Sequence, residues 1–142
     1  MCICPILRQS HKIEHIDFSE NILCDDWGMY IRKIISDQNE RRNNIVWMYN
    51  LRNELPENNE YKKGLISVGL DKTNISDKFI DNLFGIMQYD NYICNFSLRN
   101  NLISKKGISS ALNYLKTNFQ VIYLDLLYLF YLVKIQAMKK NT

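Results

Sequence analysis

Apolar residues recur along this chain in two alternating periods. Leu65, Val68, Leu70 and Ile75 return 28 residues later as Ile93, Phe96, Leu98 and Ile103, and Val121, Leu124 and Leu126 continue the register. Near the start, Ile13, Ile16, Phe18, Asn21 and Leu23 follow the same spacing, LxxLxLxxNxL. Within each LxL core, residues two apart lie on one face of a short strand and turn inward, while the residues between them turn out. Asn21 and Asn101 stand where the chain leaves the strand, and their amides are suited to hold backbone groups there. Thr73 occupies that place in the middle copy and is expected to do so less fully.

The second half of each unit changes to a 3.6-residue period. Ile80, Leu83, Phe84 and Met87 form one stripe, matched 28 residues on by Ile108, Ala111, Leu112 and Leu115. Such stripes predict amphipathic helices, with Ser76 or Asp77 and Ser104 at their N-caps. Gly107 lies near the start of its helix, where a small residue permits close packing. Trp27, Ile31, Ile34 and Ile35 supply the stripe of the first copy, in which Gly28 is displaced by one residue and implies a small insertion.

Strand and helix alternating at a fixed period predict an α/β fold. The expectation is a fragment of a leucine-rich-repeat solenoid of the ribonuclease-inhibitor type, with short parallel strands on a concave face and helices on a convex face. Its repeats fall near 12–35, 64–90 and 92–118, with a partial one at 120–126, inside a repeat domain of 1–126. Residues 127–142 read as a non-repeat tail. Cys2 to Leu7 reads as the end of a preceding helix.

From Ile13 to Leu65 is 52 residues, 24 beyond one 28-residue period, so residues 36–63 read as an insertion after the first helix. They are polar with an amphipathic middle, in which Trp47 and Leu51 are one turn apart, and Pro56 is expected to close that element. Here Arg41, Arg42, Trp47, Leu51, Arg52 and Pro56 spell RRxxxxWxxxLRxxxP. In that spacing the chain resembles the family of the 78-kDa centrosomal protein, whose leucine-rich domain carries a similar insertion. The resemblance spans about residues 12–126 and continues through NNLISKKGISSALNYLKTNFQVIYLDL. It implies a non-enzymatic scaffold at the centriole and ciliary base, active in cilium assembly, with a component of a centrosomal ubiquitin ligase or a centriolar protein as partner. The alternative is a generic leucine-rich binder that inhibits an enzyme or regulates a GTPase.

Composition narrows the chemistry. A net charge of +3 with both signs dispersed is no nucleic-acid footprint. Four cysteines without framework spacing fit a reducing, cytoplasmic setting. The apolar run from Val121 to Val133 is interrupted by Asp125 and is too short to span a membrane. Cys2, Cys4, His11 and His15 lack the spacing of a zinc site, Cys24 and Cys94 read as core thiols, and the usual enzymatic motifs are absent. No cofactor or metal is therefore expected. The expected partner-binding residues lie on two surfaces. His15, Asp17, Asp71, Asn95, Arg99 and Tyr123 turn out from the strands, and Arg41, Arg42, Trp47 and Arg52 stand on the insertion, where arginine and tryptophan are common interface anchors. Trp47 has a second reading, as a cap packed on a neighbouring helix.

Overall fold

A computed structural model of the chain describes residues 4–87, 89–116 and 123–125. Helix α1 (Cys4–Gln9) leads into β1 (His15–Asp17) and α2 (Trp27–Asn50). A 3₁₀ turn (Glu57–Lys62) precedes β2 (Ser67–Gly69), followed by α3 (Asp77–Met87), β3 (Asn95–Ser97), α4 (Lys105–Leu115) and β4 (Tyr123–Asp125). The four strands form one parallel sheet in the order β1-β2-β3-β4. Its register pairs Ile16 with Val68, Val68 with Phe96, and Phe96 with Leu124. These pairings reproduce the 52- and 28-residue steps of the apolar pattern. The class is thus α/β, helices alternating with parallel strands.

The middle residues Val68, Phe96 and Leu124 are buried in one apolar cluster with Ile31, Ile34 and Ile35 of α2, Phe79, Ile80, Leu83, Phe84 and Met87 of α3, and Ala111 and Leu115 of α4. Phe84 of α3 meets Phe96 of β3 with ring centroids 5.6 Å apart. Leu7 of α1 closes the cluster on the other side of α2.

Polar side chains join one unit to the next at the same places each time. After each of the first three strands the backbone turns left-handed, at Glu20, Lys72 and Asn100, with φ of 62°, 54° and 55°. The following residue then ties down the strand's end. Asn21 Nδ2 donates to the carbonyls of Phe18 and Ser19, whereas Asn101 Nδ2 donates to those of Leu98, Arg99 and Leu70. Thr73 Oγ1 bonds one backbone carbonyl, that of Leu70, and Asn101 Oδ1 accepts from both the Thr73 N–H and its hydroxyl. As expected, threonine serves this position less fully, and its neighbour's asparagine makes up the difference.

The helix starts are clamped in the same manner. Ser104 caps α4, its Oγ accepting from Lys106 N at 3.1 Å, while Asp77 accepts from Ser104 N at 2.7 Å and from its hydroxyl at 2.5 Å. One unit earlier, Asp25 accepts from Ser76 N and Oγ at 2.9 and 2.6 Å. Gly107 lies against the Asp77 carboxylate with no room for a Cβ, which bears out the reading of a small residue for close packing.

The 36–63 segment departs from expectation. The first helix does not end at Ile35 but runs unbroken to Asn50, 24 residues against 11 in α3 and in α4. Polar composition does not end the helix, because no glycine or proline stands between Met29 and Leu55 to break it. The Lys33–Asp37 ion pair at 2.9 Å and the Asn39–Asn43 bond at 3.0 Å, each four residues apart, suit a helix. Pro56 does not close it. Asn53, at φ 54°, turns left-handed, with Asn53 N bonded to Asn50 O and Glu54 N to Tyr49 O. That is a Schellman ending with asparagine in the place glycine usually takes. Pro56 instead leads into the 3₁₀ turn. The expected tail, 127–142, and residues 117–122 and 126 lie outside the described residues.

Candidate interaction surfaces

The parallel register brings His15, Ser67, Asn95 and Tyr123 into one row, and Asp17, Gly69, Ser97 and Asp125 into the next. A third row follows the strands, with Ser19, Asp71 and Arg99. His15, Asp17, Asp71, Asn95 and Arg99 thus share one side of the sheet, and Tyr123 takes its expected register position. Asp17, His15 and Arg99 are exposed, whereas Asp71 and Asn95 are half-buried.

Much of this face is already bonded to itself. Asp71 Oδ1 accepts from Ser97 Oγ at 2.6 Å and from Arg99 N at 2.8 Å, while Asp71 N donates to Ser19 Oγ at 2.9 Å. Asp17 accepts from Ser19 N at 2.9 Å, and the side-chain and backbone bonds from Ser19 hold its carboxyl below the usual range. A Cβ on Gly69 would lie 2.5 Å from Asp17 Oδ1, so glycine there makes room for that carboxylate. Chemically this is a preorganised polar surface of donors and acceptors, suited to recognition.

The residues expected on the insertion divide into two groups. Arg42 is not a surface residue at all: it is 1% exposed. Its Nε donates to the carbonyl of Lys63 at 3.1 Å and its Nη2 to that of Leu65 at 3.0 Å, and its guanidinium lies 4.5 Å from the centre of the Tyr92 ring. Arg41 is half-buried, and its Nη2 donates to the same Lys63 carbonyl at 2.7 Å. The physical reason is helical phase. Gln38 and Arg42 follow Ile31, Ile34 and Ile35 on the inward side of α2, so they meet the polar backbone entering β2 rather than solvent.

Gln38, Gly64 and Asp90 complete this buried seam, and none was singled out from the sequence. Gln38 Nε2 donates to Leu7 O at 2.6 Å and its Oε1 accepts from Leu65 N at 2.7 Å. Gly64, at φ 124°, passes so close that a Cβ would meet Arg42 Nη2 at 2.6 Å. Asp90 accepts from Tyr92 N and Ile93 N at 2.9 and 2.6 Å. Burial pushes its carboxyl up, against the pull of those bonds and of the Arg42 charge. Burial likewise pulls the Arg42 guanidinium down, and the Asp90 charge opposes it. Carrying the apolar stripe of α2 onward at 3.6 residues would have marked Gln38 and Arg42 as inward-facing.

Beyond that seam α2 leaves Ile45, Val46 and Tyr49 half-buried and carries other large apolar residues outward. Trp47 is 60% exposed, Met48 50% and Leu51 65%, and Leu55 follows in the turn. That exposure does not fit Trp47 as a cap buried against a neighbouring helix among the described residues. Arg52 is exposed beside them. Cys24 is also exposed rather than a core thiol, whereas Cys94 is half-buried with its Sγ 3.4 Å from Tyr92 O.

Among the described residues no helix is long and apolar enough to cross a membrane. The chain is an α/β protein whose sequence matches no family model and no curated protein.

Proposed function

We propose that the chain is part of a leucine-rich-repeat solenoid of the ribonuclease-inhibitor type, working as a non-enzymatic protein-binding scaffold. The observation that carries this reading is the sheet register, in which outward residues recur at 52- and 28-residue steps beside asparagine or threonine ladders. A parallel sheet presenting aligned rows of polar side chains gives a partner a surface fixed in advance, which lowers the entropy lost on binding. The spacing RRxxxxWxxxLRxxxP further suggests the family of the 78-kDa centrosomal protein. On that proposal the partner is a component of a centrosomal ubiquitin ligase or a centriolar protein, and the chain works in the cytoplasm at the centriole and ciliary base.

The test has two parts. Tagged protein carrying this chain concentrates at centrioles, where a diffuse signal would count against the family assignment. Arg99→Ala weakens capture of a ligase component by roughly tenfold while circular dichroism stays that of the parent. Capture unchanged by Arg99→Ala and by Asp71→Ala removes the sheet face from the proposal.

A further inference from the structure

A recess of about 220 Å³ opens where α2 passes the 3₁₀ turn, lined by His11, Arg41, Ile45, Glu60 and Lys63. Among the described lining residues, Arg41 and Lys63 bring two cations and His11 an imidazole, against the carboxylate of Glu60. None of the ion pairs among the described residues involves Arg41, Lys63, His11 or the adjacent Lys12 and Lys62. Arg41 is held in place by its bond to the Lys63 carbonyl, so its position does not depend on a ligand. At 3.6 residues per turn, Ile45 and Met48 follow Arg41 along one side of α2, and Leu51 and Trp47 continue the surface away from the recess. A positive recess therefore borders an exposed apolar ridge.

We propose that this end of α2 docks an acidic, apolar segment of a protein partner, a carboxylate entering the recess while apolar side chains cover Met48, Leu51 and Trp47. The proposal rests on the reading of the chain as a protein-binding scaffold and names one site on it. Charge complementarity selects the occupant: among the described lining residues cations outnumber carboxylates and favour an anion, and the adjoining apolar ridge favours a peptide over a nucleic-acid backbone. For a nucleic acid the described ridge offers one tryptophan, whereas binding a strand calls for interleaved cations and aromatic rings along a groove.

The experiment uses the full chain and a displayed peptide library in which Glu or Asp lies three or four residues from Leu, Phe or Trp. Peptides selected from it are then measured by fluorescence anisotropy. Selected peptides bind, lose affinity as salt rises, and bind about tenfold more weakly to Lys63→Glu and to Met48→Asp, at tenfold per 1.4 kcal/mol. Both positions are exposed or half-exposed, and circular dichroism verifies that the variants keep the fold. Emission of Trp47 shifts to the blue on binding. Failure to select any peptide, equal binding of versions with lysine in place of the acids, or affinity indifferent to both variants overturns the proposal. Tighter binding of a single-stranded oligonucleotide than of the peptides also overturns it. A partner whose capture depends on Arg99 but not on Lys63 or Met48 overturns this site and leaves the scaffold reading standing.

Discussion

The two halves of α2 make opposite use of similar residues. From Trp27 to Arg42 the helix belongs to the repeating architecture, and its inward residues, apolar or polar, are consumed by the protein itself. From Asn43 to Asn50 the helix outruns α3 and α4, and Trp47 and Met48 face out. Two arginines adjacent in sequence mark the border: Arg42 is buried, and Arg41 lines a recess. A residue type that suggests an interface thus says little until its helical phase relative to the core is known.

The contrast breaks most sharply at Arg42. Arg42→Ala takes the Leu65 carbonyl's guanidinium donor away, leaves the Lys63 carbonyl with Arg41 alone, and removes the cation whose charge acts on Asp90, so stability falls by about 3 kcal/mol, measured by urea unfolding. A loss below about 1 kcal/mol would place Arg42 with ordinary surface residues. Asn101→Ala comes next. It removes three donor bonds to backbone carbonyls and the acceptor used by Thr73, for a loss of about 2 kcal/mol, and the same measurement on Thr73→Ala gives a smaller one.

A third effect depends on pH. Bonds from Ser104 hold the Asp77 carboxyl below its ordinary value near 3.8. A carboxyl with a depressed folded value stabilises the protein above its unfolded value, and that contribution is lost as pH falls below 3.8 through the folded value. Acid unfolding of Asp77→Asn is therefore shallower in that window than that of the parent, and identical curves would mean that the clamp carries no charge effect. The smallest effect belongs to Trp47→Ala, which shifts stability by no more than about 0.5 kcal/mol. A larger loss in thermal unfolding would mean that Trp47 is packed after all.

The strands and the helices α3 and α4 were legible in the sequence because each apolar period meets a single requirement, burial on one side of a strand or helix. Val68 pairs with Phe96, and Ala111 lies inward, where the pattern put them. Ser104 and Gly107 were legible for a similar reason, since cap and close approach each demand a narrow set of residues. The extent of α2 was not legible, because its continuation is amphipathic in reverse: polar Gln38 and Arg42 point in while Trp47 and Leu51 point out. Hydrophobicity assigns those residues to the wrong sides. The backbone groups of Leu7, Lys63 and Leu65, distant in sequence, explain why these polar residues go inside. The sheet-face positions were legible from alternation alone, but their mutual bonds, such as Asp71 with Ser97, depend on which unit lies beside which.

The bonds from Gln38 and Arg42 to Leu7, Lys63 and Leu65 also bear on how such a chain can be edited. A designer restoring a uniform 28-residue spacing would excise the surplus between the first helix and β2. That deletion would discard the groups that satisfy the backbone on either side of the cut, so what looks like a graft in the alignment of units behaves as a keystone. Any shortening that keeps the fold has to leave Gln38 and Arg42 where they stand.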